Sequence, residues 1–443
     1  MVKGIMAKLK KGSGQKLWAK AKKIIPGGNM FFSKNSEVYL PDLWPSYFKS
    51  AKGCKVKDLD NKSYIDMTMS IGTNILGYSN PYVNNAVIKT IKQSTMSTFN
   101  APEEVELAQK LLKIHKWAGG VKFARTGGEA NALSLRVARS FSKKSNIAFC
   151  GYHGWHDWYL SANLNKKNNL DEHLLKGLSS IGVPKELKNT VFPFQYGNYD
   201  QILNIINKKK IGIIKMEVTR NLTVDVKFLK FIRKECSKRN IILIFDECTS
   251  GFRQNFGGIH KIYNIIPDIA VFGKSLGNGF AITAVIGKKK IMRSSENSFT
   301  SSTFWSERVG YVAALETLKQ MDKIKPWNKI SKLGLYFRKK LKLIAKKNNL
   351  EIEIKGLLAI PVFLVKNDNK NIYKTFITQE MLKNGFIINN SVYISNAHSI
   401  KIFNKFFKVL DSIFKLIRKY KTTNNLKKQL EAGSSKSGFG RLT

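Results

Sequence analysis

Acidic side chains are scarce in this sequence: 30 Asp and Glu face 76 Lys and Arg, the formal charge is +46, and no acid occurs before Glu37. Taken alone, such a charge points to nucleic acid or an anionic membrane. The lysines, however, run along the whole chain among many Asn and Ile, with no aromatic-interleaved basic stripe and no RNA- or DNA-binding signature. A general bias on solvated faces is the reading that follows, and nucleic acid is not expected as a partner. Cysteine is scarce too. Cys54, Cys150, Cys236 and Cys248 lie too far apart for a zinc pattern or a disulfide framework, and they suit buried thiols in a reducing cytoplasm. No run reaches the ~18 uninterrupted apolar residues of a membrane span. The start, with Lys3, Lys8, Lys10, Lys11 and Lys16, lacks the apolar stretch of a secretory signal, and it is Lys-rich where a transit peptide is rich in Arg and Ser. No membrane partner is expected, and the protein reads as soluble and cytoplasmic.

What is present is enough for a large core: 443 residues, 43% of them apolar, predict one big domain and a smaller one. Short apolar runs at Val121–Ala124, Ile147–Cys150, Ile211–Met216, Ile241–Phe245, Ile269–Phe272 and Ala281–Ile286 predict strands. Glu129–Ser142 and Val226–Lys238 carry apolar residues at helical spacing. Strands alternating with helices predict a mainly parallel sheet covered by helices. After Pro326 the pattern becomes a basic helix (Ile330–Lys347), a strand pair around Ile354–Val365, a helix near Tyr373–Lys383, a strand near Ile387–Ile394 and a final helix, which reads as a small α+β domain. Val56–Leu59 and Tyr64–Met67 flank the turn Asp60-Asn61-Lys62 as a hairpin. The expected division is 1–66 joining the small domain, 67–325 as the large domain, 326–420 as the small domain, and 421–443 as a basic tail. Gly and Ser in that tail suggest a flexible end, in which Phe439 and Arg441 could dock near an active site.

Four stretches suit one task, holding a flat, cationic, phosphorylated aldehyde. Thr126-Gly127-Gly128-Glu129-Ala130-Asn131 places a glycine pair at a helix start, where backbone N–H groups and the helix dipole attract phosphate; a plain turn is the competing reading. Gly151-Tyr152-His153-Gly154-Trp155-His156 follows a strand and offers a ring to stack on a planar group, or a loop cap. His153 and His156 have a metal-ligand spacing but no evident third ligand, so no metal is expected. Asp246 ends the apolar run Ile241–Phe245, where an unpaired acid would be expensive. Its partner is either a pyridinium nitrogen or a buried structural cation. Lys274, in Phe272-Gly273-Lys274-Ser275, also ends a strand, and an apolar frame favours the neutral amine that forms imines. Gly273-Lys274-Ser275 imitates a phosphate-binding loop, but that pattern requires glycine at position 268, which is Asp268.

The order of these parts resembles the class III aminotransferases among fold type I pyridoxal-phosphate (PLP) enzymes, over residues 25 to 414. The matching stretches are Ile25-Pro26-Gly27-Gly28, Tyr64-Ile65-Asp66, Ile75-Leu76-Gly77-Tyr78, Gly128-Glu129-Ala130-Asn131, Tyr152-His153-Gly154, Asp246-Glu247 with Ser250-Gly251-Phe252-Arg253, Pro267-Asp268 ahead of Gly273-Lys274, and Ser395-Asn396-Ala397-His398. Within that family the motifs are most similar to those of glutamate-1-semialdehyde aminomutases. The resemblance implies an α/β fold: a large domain with a mainly parallel sheet, and a small α+β domain built from both chain ends. It implies that Lys274 forms the Schiff base with pyridoxal 5'-phosphate, Asp246 pairs with the pyridinium, Tyr152 stacks on the ring and His153 lies beside it. Thr126, Gly127, Gly128 and Cys248 complete the cofactor set, while Ser302 and Thr303 would reach the cofactor phosphate of a partner subunit in a homodimer with shared active sites.

The chain also departs from the family. Gly128 stands where a Ser or Thr is usual, Glu217-Val218 replaces a Glu-Pro pair and leads into Arg220-Asn221, and Phe304-Trp305-Ser306-Glu307-Arg308 is unlike the aminomutases. Asn29-Met30-Phe31-Phe32-Ser33-Lys34 has no arginine where aminomutases hold the substrate carboxylate. The leading expectation is therefore an aminotransferase acting on a small-molecule amino donor and an unidentified carbonyl acceptor. An aminomutase is second, and a non-catalytic basic scaffold on the same fold is the reading from another class.

Overall fold

A computed structural model describes residues 8–439 apart from Leu174, Asp368 and Lys421. Contacts divide the chain into two compact units, Met1–Asn80 with Asn328–Thr443, and Pro81–Trp327.

The second unit is built on a seven-stranded sheet in the order Gly120–Ala124, Thr283–Gly287, Ile269–Phe272, Ile242–Asp246, Ile213–Glu217, Ile147–Cys150, Val191–Pro193. Thr283–Gly287 runs antiparallel to both neighbours, and the other pairs are parallel. Helices cover a parallel sheet on both faces, so its strands are buried along their whole length rather than on alternate residues, as Ile213–Glu217 and Ile242–Asp246 are here. Phe149, Ile213, Ile244, Val271 and Val285 are fully buried in the core between sheet and helices. Gly127–Ser142 starts with a reciprocal cap, in which Thr126 accepts from the Glu129 N–H and the Glu129 side chain returns to the Thr126 N–H. It buries Ala130, Leu133, Val137 and Ala138, one stripe at helical spacing.

In the first unit Phe48–Lys52, Lys55–Asp58 and Ser63–Asp66 form an antiparallel sheet that Phe386–Ile387 extends in parallel. The hairpin turn is held by Asp58, whose Oδ1 accepts from Asp60 N and Lys62 N, with Asn61 in the left-handed region at φ 63°. The stretch from Met67 to Asn80 belongs to this unit, with Tyr78 OH donating to Asp66 Oδ2 and Asn396 N to Ile75 O. Ile352–Leu357 pairs with Ile360–Val365, and the helices Lys370–Lys383 and Ile400–Tyr420 follow.

Two expectations need correction. The strand expected near Ile387–Ile394 is a strand only at Phe386–Ile387. Beyond it the N–H groups alternate between partners, Val392 to Pro361 O, Tyr393 to Met67 O and Ile394 to Ala359 O, so burial continues without one ladder. The tail, read as flexible from its Gly and Ser, is hydrogen bonded through its described part. Glu431 N donates to Gln379 Oε1, Ser435 N to Thr375 Oγ1 and Lys436 N to Glu37 O, and Ser435 is buried. Phe439 packs its ring 5.7 Å from that of Phe32, while Arg441 lies outside the described residues. Among the described residues no helix is long and apolar enough to cross a membrane.

Phe149→Ala should lower unfolding free energy by about 3–5 kcal/mol, because a ring surrounded on all sides leaves a cavity. Ile88→Ser, at a half-exposed helix position, should stay within about 0.5 kcal/mol of wild type, and urea unfolding of the three chains checks both.

Candidate active site

Strand direction sets the site. Gly120–Ala124, Ile147–Cys150, Ile213–Glu217, Ile242–Asp246 and Ile269–Phe272 all end at one edge of the sheet, and the residues that follow them are the chemically interesting ones.

Asp246 is 3% exposed. Its Oδ2 accepts from Asn131 Nδ2 at 2.8 Å and lies 2.8 Å from His153 Nδ1, and its Oδ1 accepts from Cys248 N at 3.0 Å. Burial opposes the charge, but the His153 hydrogen bond and charge, the nearby Lys215 ammonium and the Cys248 N–H outweigh it, so the carboxyl is held well below the usual range. His153 is buried between Asp246 and the Cys150 carbonyl, 3.1 Å from its Nε2, so both ring nitrogens have protein partners. Lys215 is fully buried in the adjacent strand with its Nζ donating to Ser134 Oγ at 3.0 Å, and burial pulls its pKa from 10.5 down to about 8.

Lys274 follows Gly273 with φ 41°, a left-handed conformation rare for a residue with a side chain and of the kind found at functional sites. Its Nζ lies 2.9 Å from Thr249 Oγ1. Burial, then the Arg220 and Arg253 guanidiniums, bring its pKa from 10.5 down to about 7. Arg220 Nη2 pairs with Glu217 Oε1 at 2.8 Å and donates to Thr249 Oγ1 at 2.7 Å, and its guanidinium lies 5.7 Å from the centre of the Tyr152 ring. The Tyr152 N–H donates to Glu217 Oε2 at 3.2 Å. Glu217 and Asp246 sit directly opposite each other on neighbouring strands, and each carboxylate has its own partner, Arg220 for one and His153 for the other.

The helix-start glycines lie against the same group. A Cβ on Gly127 would stand 3.7 Å from Cys248 Sγ, and one on Gly273 would stand 3.3 Å from it, so the thiol sits between the two segments, kept protonated by burial. Gly128 packs on Gly154, where a Cβ would come within 3.0 Å of the Gly128 Cα; that approach and a φ of 108° both call for glycine at 154. The Thr126 hydroxyl is engaged by Glu129, donating to Oε2 at 2.9 Å. Ser302 and Thr303 are exposed beside Trp305, whose Nε1 donates to Glu129 Oε1 at 3.1 Å. A cavity of about 360 Å³ opens alongside, lined by Gly151, His173, Tyr196, Glu217 and Arg220 among others. Among the described residues no cluster of three or more His, Cys, Asp or Glu could hold a metal.

This donor set fits PLP: an ionised carboxylate for a ring nitrogen, an amine of low pKa for an aldehyde, and two glycines at the start of a long helix for a phosphate. Asn131, Lys215 and Thr249 carry parts of the site that the sequence reading had left without a role. Lys215 was the detectable one, a charge between Ile214 and Met216 in a strand of a sheet covered on both faces.

Comparison with known proteins follows the same line. The profile of the family described as "Aminotransferase class-III" matches residues 42–408. A 3-aminobutyryl-CoA aminotransferase of Cloacimonas acidaminovorans (strain Evry) is 29% identical over 88% of this chain and 92% of that protein. A glutamate-1-semialdehyde 2,1-aminomutase of Nitrosopumilus maritimus (strain SCM1) is 32% identical over 89% of this chain and 96% of that protein. Among solved structures, the Sphingopyxis sp. MTA144 FumI protein shares the fold with a TM-score of 0.83 at 22% identity, over 92% of this chain and 97% of that one.

Lys215 makes stability depend on pH in a defined direction. Its folded pKa of about 8 lies below the ordinary 10.5, so between those values the unfolded chain holds the extra proton and the fold gains stability as pH rises. The stability difference between wild type and Lys215→Met should therefore move in favour of wild type by up to about 1.4 kcal/mol per pH unit in that window. Urea unfolding of both chains at several pH values measures it.

Proposed function

This chain belongs to the class-III aminotransferase family, and on that premise we propose that Lys274 is the residue through which it works and that its substrates are a small-molecule amine and a carbonyl compound other than glutamate-1-semialdehyde. It is a PLP-dependent enzyme of amino-group transfer. The single observation that carries the site reading is the pair at neighbouring strand ends: Asp246, held ionised by His153 and Asn131, and Lys274, whose pKa near 7 leaves much of its amine neutral.

The cofactor, when bound, supplies an electron-accepting ring that stabilises negative charge on the substrate carbon. The chain's residues divide the remaining work. Gly127 and Gly128 offer backbone N–H groups for the phosphate, with the Thr126 hydroxyl committed to the helix cap. Asp246 would favour a protonated ring nitrogen on the cofactor, and His153 and Asn131 keep Asp246 in place. Tyr152 offers its face to the ring. Lys274 would hold the cofactor through its aldehyde and, as a neutral amine, would serve as the general base at the substrate carbon.

Exposed apolar side chains support a homodimer. Phe99 is 87%, Phe299 84% and Phe304 65% exposed on the unit that carries the site, and large apolar side chains left open to water suit an interface. Ser302 and Thr303 lie in the same stretch as Phe299 and Phe304, which suits a role toward the partner's cofactor. Four free, buried cysteines suit the cytoplasm.

Similarity to the Nitrosopumilus enzyme favours a second reading, an aminomutase, and the absence of arginine from Asn29 to Lys34 weighs against it. A point charge such as Lys34 replaces a bidentate guanidinium poorly for a carboxylate. Lys274→Ala should abolish amino-group transfer, measured as keto-acid formation, while its far-ultraviolet circular dichroism matches wild type; turnover at the wild-type rate would remove Lys274 from the mechanism. Purified enzyme given glutamate-1-semialdehyde should form little 5-aminolevulinate. Efficient formation would make the aminomutase the function.

A further inference from the structure

Four polar side chains form an unbroken chain that ends at Lys274. Glu217 Oε1 accepts from Arg220 Nη2 at 2.8 Å, Arg220 Nη2 donates to Thr249 Oγ1 at 2.7 Å, and Thr249 Oγ1 lies 2.9 Å from Lys274 Nζ. Chemistry sets the direction of the first two links. A guanidinium keeps its proton at any working pH and has no acceptor atom, so Arg220 donates to both oxygens. Thr249 Oγ1 thus commits a lone pair to Arg220, and its own hydrogen remains to be placed.

The third link can run two ways. A Lys274 ammonium would donate to Thr249 and add a third cation beside Arg220 and Arg253. A neutral amine presents a lone pair at the same 2.9 Å, and the Thr249 hydrogen donates to it. We propose that Glu217, Arg220 and Thr249 are positioning residues for Lys274, turning the Thr249 hydroxyl toward Nζ so that the amine is held neutral and in one orientation. No proton changes hands in this arrangement. Glu217 orients Arg220, Arg220 orients the hydroxyl, and the hydroxyl orients the amine.

Other groups face Nζ as well. Arg253, anchored through its Nε to the Thr249 carbonyl, favours the neutral form along with Arg220, whereas Glu217 and the Cys248 thiol favour the ammonium. Asp246 and Lys215 act on Cys248 with opposite sign, and the Tyr152 phenol, its pKa raised by burial, stays uncharged beside Arg220. The Thr249 hydroxyl is the one contact in this group whose removal deletes a donor to Nζ without deleting a charge. The inference rests on the reading of Lys274 as the reactive amine.

The test is competitive acetylation of the full-length chain stripped of cofactor. Trace acetic anhydride is applied from about pH 5 to 11, and the extent at Lys274 is read by mass spectrometry against exposed lysines such as Lys289 in the same molecule. Wild-type Lys274 should titrate near 7, well below the ordinary 10.5 of a lysine. Thr249→Val and Arg220→Met should each move that midpoint up by about one pH unit or more, tenfold less neutral amine at acid pH, while Thr249→Ser stays with wild type. Should Arg220→Met fail to fold with Glu217 left alone, the near-isosteric Thr249 pair decides. A Thr249→Val midpoint equal to wild type, or a Thr249→Ser midpoint displaced as far as Thr249→Val, overturns the proposal. A separate arm loads the wild-type chain with PLP, reduces it with borohydride and maps the modified lysine. A label on any lysine but Lys274 defeats the site reading, whereas a label on Lys274 with unmoved Thr249 midpoints defeats only the positioning chain.

Discussion

A carboxylate buried at the end of a strand is the constraint around which the larger unit is arranged. Asp246 cannot keep its charge away from water unless every lone pair it offers is met, and no single neighbouring segment can do that. Asn131 comes from the helix after the first strand of the unit, His153 from the loop after Cys150, the Cys248 N–H from its own turn, and the Lys215 field from the strand alongside. Satisfying one oxygen pair therefore brings together the glycine-rich helix start, the aromatic loop and the central strands. The site is assembled as a condition of burying that charge.

Burial acts on the neighbouring Lys274 with a different outcome. Asp246 is surrounded by donors and positive charge, so it remains ionised against the cost of desolvation. Lys274 is surrounded by two guanidiniums, so desolvation and like charge work together toward the neutral amine. Two groups one strand apart are thus driven into the protonation states that amino-group chemistry requires, an anion and a free amine. Glu217 does not upset the arrangement because Arg220 occupies it at 2.8 Å.

The sheet was legible because burial on both faces removes polar residues from whole strands, leaving apolar runs with reactive residues at their C-terminal ends. Each observed strand of the central sheet lies within two or three residues of its apolar run, apart from the short Val191–Pro193 edge strand. Legibility failed where backbone partners, not side-chain pattern, decide the element. Ile388, Val392 and Ile394 are as apolar and buried as a strand, yet their segment divides its hydrogen bonds between two neighbours. The tail failed for the opposite reason: Ser435 looks like linker, but its hydroxyl and N–H both find Thr375.

The sequence by itself determined the order of the parts, the helix start at Thr126, the acid at the end of Ile241–Phe245 and the lysine after Gly273, because each follows from local composition. It could not show which partners meet Asp246 and which meet Glu247. These adjacent acids look alike in the chain, but one meets Asn131 and His153 while the other is closed off by Ser250, Ile259 N and His260. Nor could it show Lys274 in a left-handed turn, the Lys215 charge acting on Asp246, or Arg220 joined to Lys274 through one hydroxyl. Those facts depend on which strand lies beside which and on the angle at which a turn leaves the sheet edge. Only the tertiary structure decides them, because charge and hydrogen-bond direction are set by neighbours in space.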